Sequence, residues 1–117
     1  MSESAATSKG LTLTFEESNG VPVIRCSGRV VAGVTDRLYG QVRALLPDNK
    51  RIILDFAEVH HIDSMGLGTL ARIYVSSKSA GCVVDVVNIG KSVRSLLGIT
   101  HMLSMFQIIG ENGIRMG

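Results

Sequence analysis

The stretch His60 to Gly68, HHIDSMGLG, gathers the side chains with the widest chemical scope in this chain. Ser64 offers a hydroxyl, Asp63 a carboxylate, and His60 and His61 two bases. Nucleophilic catalysis would need an imidazole at the Ser64 hydroxyl. The local pattern is not Gly-x-Ser-x-Gly, and adjacent residues on an extended segment point to opposite faces, so at most one histidine could approach. One histidine is therefore expected to pack and the other to face solvent, and no enzyme activity is expected. As helix caps, Asp and Ser are both favoured, because a short side-chain oxygen accepts from the free N–H groups of a first turn. Capping needs only one of them. With Gly66 removing bulk nearby, the Ser64 hydroxyl should be accessible, and a phosphate on it would meet the partial positive charge of a helix start. Modification there would add about −1.5 to −2 charges while the fold persists. The residues alone leave both readings open, a cap and a phosphate switch, with Gly66 and Gly68 also able to serve close helix–sheet packing.

Other candidate sites are weaker. Gly90-Lys91-Ser92 would suit a phosphate-binding loop, but that pattern needs a glycine five residues before Gly90, where Asp85 stands. Lys91 and Arg94 read as solvated positions on a helix. Cys26 and Cys82 lie in apolar, β-like runs and should behave as small buried hydrophobes. Two thiols and three scattered histidines offer neither a metal site nor a disulfide framework. No cofactor is expected. Met102 and Met105 should fill core gaps and His101 should lie in a loop or at a helix end, whereas Met65, beside the serine, suits an adaptable docking surface. Leu67 is expected to serve both core and surface, so the expected partner-binding set is Asp63, Ser64, Met65, Gly66 and Leu67.

A chain of 117 residues with 45% hydrophobic and 19% charged residues should form one domain with a single core. A net charge of +2 gives no electrostatic case for nucleic acid or an anionic membrane. No apolar run approaches the roughly 18 residues of a membrane helix, and MSESAATSKG lacks a secretory apolar core, so a cytoplasmic protein without direct membrane insertion is expected.

The elements that must hold Ser64 follow from periodicity. Residues 1–10 are small and polar and read as a flexible tail, leaving 11–117 as the domain. Leu11 to Phe15 alternates at period two, Ser18-Asn19-Gly20 supplies a turn, and Val21 to Ser27 completes a β-hairpin. Leu38, Val42, Leu45 and Leu46 follow helical spacing from Thr35 until Pro47-Asp48-Asn49. Lys50 to Phe56 is a branched strand expected to be buried on both faces. Leu67, Leu70, Ala71, Tyr74 and Val75 predict a helix from about Met65 to Ser79 that stops at Gly81. A strand from Cys82 to Val87, a short helix around Ser92 to Leu97 closed by Gly98, and a last strand near Met105 to Ile109 complete the order β-β-α-β-α-β-α-β. This is an α/β domain with a mixed sheet and helices packed against it.

IILDFAEVHHIDSMGLGTL, Ile52 to Leu70, resembles the signature of the STAS domain family, in particular its bacterial anti-sigma-factor antagonists: a strand, an Asp-Ser-x-Gly-Leu turn and a helix. Ile24 to Gly28 resembles the family's second strand, and VRSLLGITHMLSMF, Val93 to Phe106, its late helix leading to the last strand. The resemblance implies a non-catalytic interaction switch. Unphosphorylated, it would bind a partner that is both anti-sigma factor and serine kinase. Phosphorylation at Ser64 would end that binding, and a metal-dependent serine phosphatase would restore it. ATP and Mg²⁺ belong to the kinase. Asp63 would orient the serine or hold the turn. One position departs from the pattern: where such relatives carry Gly-Glu-Leu-Asp, this chain has Gly28-Arg29-Val30-Val31, with Val31 at the acidic position and Asp36 as the nearest substitute. Few residues remain for the terminal helix of many relatives. STAS domains also act as constitutive scaffolds or subunits in transport and stress-signalling complexes, which is the alternative expectation.

Overall fold

A computed structural model of the chain describes residues 4–8, 10–99, 107–109 and 113–116. The hairpin of β2 (Leu11–Ser18) and β3 (Val21–Val30) forms as the alternation predicts. Asn19 and Gly20 turn it with φ of 52° and 80°, the positive pair that matches the twist of two adjoining strands. Within the hairpin, Leu13 pairs with Cys26 and both are fully buried. At Gly28, φ is +112° and a side chain would collide with the Gly10 carbonyl, so glycine is required there.

Helix α1 (Thr35–Leu45) buries Leu38 and Val42 and runs into a 3₁₀ turn at Leu46–Asp48, where Pro47 removes a backbone donor. Strand β4 (Arg51–Ile62) lies parallel to β3 on one side and to β5 (Val83–Val87) on the other. Between them in sequence runs α2 (Ser64–Ala80), ended by Gly81 in the left-handed conformation at φ 68°. Helix α3 (Lys91–Ile99), β6 (Gln107–Ile109) and β7 (Gly113–Met116) follow. With β1 (Ser4–Ser8) at one edge, the sheet order is β1-β2-β3-β4-β5-β7-β6, a parallel centre with antiparallel flanks. Residues from all three helices join one hydrophobic core that includes Leu13, Ile24, Leu54, Phe56, Leu70, Val86 and Leu97. The α/β architecture with its mixed sheet is as expected.

Several boundaries differ from expectation. Ser4–Ser8, read as tail, is a strand, β1, antiparallel to β2. Backbone hydrogen bonding to the β2 edge needs no apolar residues, so composition could not signal it. Helix α3 continues through Gly98. The last strand begins at Gln107, β7 follows unpredicted, and His101, Met102 and Met105 lie outside the described residues.

Strand β4 was expected to be buried on both faces, but it alternates. Ile52, Leu54 and Phe56 enter the core, while Asp55 faces an ionic ladder in which Arg25 reaches Glu16 at 3.1 Å and Asp55 at 3.7 Å. That face is satisfied by charge pairs rather than by apolar cover.

Asp85, in the middle of β5, is fully buried. Arg115, directly opposite in β7, donates from Nε to Oδ1 at 2.7 Å, and Arg51 donates from Nε to Oδ2 at 3.0 Å. Burial alone would raise this carboxyl. The hydrogen bonds from Arg115 and Arg51 outweigh it and hold the carboxyl below the usual carboxylate range. The short β7 is thereby pinned to the sheet.

Candidate functional site: the start of α2

Asp63, not Ser64, caps α2. Its backbone is extended (φ −110°, ψ −173°), and its Oδ1 accepts from Gly66 N at 3.0 Å. Its Oδ2 accepts from Ala32 N, also at 3.0 Å, and its own N donates to Val30 O at 3.4 Å. One carboxylate thus ties the loop after β3 to the first turn of α2. The Ala32 N–H, with that of Gly66, lowers the Asp63 carboxyl below its ordinary range. Of the two roles expected for Asp63, the geometry displays the holding of the turn.

Gly66 is buried rather than a gap in the surface: a Cβ there would strike the Val30 carbonyl oxygen and stand 2.5 Å from Ile62 Cγ1. The start of α2 is therefore seated directly on the ends of β3 and β4. Gly68 differs. It is exposed, and a Cβ there would meet nothing within 4 Å among the described residues, so the packing role considered for both glycines falls to Gly66.

With its neighbour holding the turn, Ser64 becomes the first helical residue. It is exposed, and no described residue forms a hydrogen bond with its hydroxyl. Met65 is 55% exposed, whereas Leu67 is 4% exposed and belongs to the core. Of the five expected partner-binding residues, the structure leaves Ser64 and Met65 at the surface and Asp63 half-buried, and buries Gly66 and Leu67. The last two support the surface from beneath.

Ser64 opens on a cleft of about 270 Å³ between α1 and α2, lined by Gly33, Thr35, Asp36, Met65, Gly68, Thr69 and Arg72 as well. Asp36 comes from the first turn of α1, so an acidic group reaches the serine's cleft although Val31 packs partly buried against the core. Arg72 Nη1 donates to Asp36 Oδ1 at 3.3 Å, and its guanidinium lies 4.0 Å from the centroid of Tyr39. The Tyr39 hydroxyl is 2.6 Å from Ser76 Oγ. Sequence reading missed the Arg72–Tyr39–Ser76 group, because nothing within α2 reveals which α1 residue it will meet.

Both histidines are exposed, contrary to the expectation that one packs. Two register shifts between β3 and β4 break the period-two pattern. Val59 and Ile62 turn inward, and His60 and His61 both point out. Lys91 is exposed, as expected for a solvated helix position. Cys26 and Cys82 are buried free thiols, and burial pushes Cys26 up to about 12, which makes it unreactive. Among the described residues, no helix is long and apolar enough to cross a membrane.

With this geometry, the comparisons with known proteins are specific about the fold. The STAS domain model matches residues 12–112, and the chain belongs to the STAS domain family. An anti-sigma factor antagonist from Mycobacterium paratuberculosis shares the fold at a TM-score of 0.73 and 24% identity, over 86% of each chain. A sulfate transporter family protein from Wolinella succinogenes is similar at 0.66 and 22% identity, over 76% of this chain and 73% of that one. The phosphorylated form of the Bacillus cell fate determinant SpoIIAA is similar at 0.59 and 15% identity, over 75% of this chain and 82% of that one.

Proposed function

We propose that this chain is a cytoplasmic anti-sigma-factor antagonist. It binds an anti-sigma factor that is also a serine kinase through Ser64, Met65 and the exposed side of α2. Phosphorylation of Ser64 releases it, and a serine phosphatase resets it. The observation that carries this reading is the state of Ser64: exposed, with no hydrogen bond to its hydroxyl among the described residues, on a helix start already fixed by Asp63. A phosphate added there breaks no hydrogen bond among the described residues. It places about two negative charges at the centre of the docking surface, where the cost of desolvating them and the loss of charge complementarity weaken a complex by roughly 2–5 kcal/mol. The chain itself performs no catalysis in this account.

The Wolinella transporter neighbour supports a second reading, a constitutive STAS subunit that uses the same surface without phosphate cycling. Wild-type, Ser64→Ala and Ser64→Asp proteins used as baits in host lysate separate the two. Capture of a kinase-type ATPase by the first two but not by Ser64→Asp is expected. Equal capture of the same partners by all three would replace the switch with the constitutive subunit.

A further inference from the structure

We propose that Arg72 is the intramolecular receptor for a phosphate on Ser64, exchanging Asp36 for that phosphate when the protein is modified. This rests on the reading of Ser64 as a phosphorylation site.

Arg72 and Ser64 line the same cleft, and Asp36 stands in it as well. The two α2 residues are eight apart, a rise of about 12 Å, and an arginine on a helix extends toward the helix N-terminus, which is toward Ser64. The residue one turn from each is Gly68, which is exposed in mid-helix and adds no side chain to the cleft floor. A mid-helix glycine is less favourable than alanine, and here no packing contact among the described residues requires it. It leaves position 68, one turn from each, without a side chain.

The guanidinium is also held in place. One face lies over Tyr39, whose hydroxyl is tied to Ser76, so stacking fixes the plane while leaving the N–H edge available. The anion now on that edge is weakly bound. Asp36 has a side chain 92% exposed, touches Arg72 through one 3.3 Å contact, and belongs to the exposed class of ion pair that contributes little. A phosphate carries more charge and three acceptor oxygens, and arginine binds it in bidentate fashion. It displaces Asp36 by both attraction to Arg72 and repulsion of the carboxylate. Among the described residues, the charged groups lining the cleft or adjoining the serine are Arg72 from α2, Asp36 from α1 and Asp63 at the cap, with His61 beside Asp63.

The test uses the full chain with phosphoserine installed at position 64 during translation, so no kinase is needed. Titration followed by ³¹P NMR reads the second pKa of the phosphate, which a neighbouring guanidinium lowers. The phosphate of the wild-type chain is expected to titrate at least about half a unit below that of Arg72→Gln. Asp36→Asn, which keeps Arg72 and removes its competitor, is expected to titrate lower still. Identical values in wild type and Arg72→Gln, both folded by circular dichroism, overturn the proposal. If Arg72→Gln fails to fold, Asp36→Asn decides alone: a value no lower than wild type overturns it. Loss of partner capture by the phosphoserine protein is measured separately, so the switch can stand while Arg72 is dismissed.

Discussion

Two glycines two residues apart in α2 should respond to alanine with opposite signs. At Gly66 the new methyl strikes the Val30 carbonyl oxygen and approaches Ile62 Cγ1 at 2.5 Å and Cδ1 at 3.1 Å. Ile62 can rotate, but the Val30 carbonyl is backbone and also accepts the Asp63 N–H. The start of α2 must lift off the sheet. Overpacking of this kind destabilises by about 1–3 kcal/mol, against which a first-turn glycine replacement returns only a fraction of the roughly 1 kcal/mol helix gain. A net loss of roughly 2 kcal/mol follows, a fall in Tm of about 8 °C at about 4 °C per kcal/mol for a domain of this size. At Gly68 an added Cβ meets no described residue within 4 Å, so the propensity gain stands at about 0.5–1 kcal/mol. Urea unfolding of the two variants, with unchanged slope and midpoints displaced in opposite directions, is the expected record. A Gly66→Ala protein as stable as wild type would refute the seating of α2 on the strand ends. Equal destabilisation by both substitutions would refute the distinction between a packing glycine and an open one.

Asp63→Ala removes both the cap and the tie to Ala32 and should lower stability by about 1–2 kcal/mol in urea unfolding, with Asp63→Asn losing less because its one oxygen still accepts. Asp85→Asn leaves two guanidiniums without their carboxylate and should lower stability by about 3 kcal/mol, the low end for a broken buried pair because both arginines reach solvent. Because the folded Asp85 carboxyl is held below its ordinary value, its contribution is present above about pH 4 and is lost as pH falls through the folded value. Urea midpoints of wild type should therefore converge on those of Asp85→Asn in acid and separate near neutrality.

How much of this was legible in the sequence depended on whether the signal was local. The hairpin came from Asn19-Gly20, α2 from the spacing of Leu67, Leu70, Tyr74 and Val75, and its end from Gly81, each a short-range pattern. The Asp63-Ser64 pair pointed to a helix start with an accessible hydroxyl, and the structure agrees, with the roles assigned as cap and first helical residue. The misses were non-local. Residues 4–8 pair with β2 as a strand, and the register shifts of β3 against β4 turned His60 and His61 outward. Gly66 looked like an opening because a strand end 36 residues earlier in the chain, at Val30, is what fills the space. Asp85 among four valines was a readable anomaly, since a lone carboxylate in an apolar strand demands a cation. Its partners Arg51 and Arg115 could be named only once the strand order was known.

One phosphate on Ser64 should separate a bound from a released state of an otherwise unchanged fold. Calorimetric titration of the captured kinase partner against the unmodified chain and against the chain carrying phosphoserine at 64 addresses it directly. Matching far-UV circular dichroism is expected for the two chains, with an affinity at least about 30-fold weaker for the phosphorylated one, since a loss of about 2 kcal/mol at 1.4 kcal/mol per factor of ten is a factor of about 30. Equal affinities, with both chains folded, would contradict it.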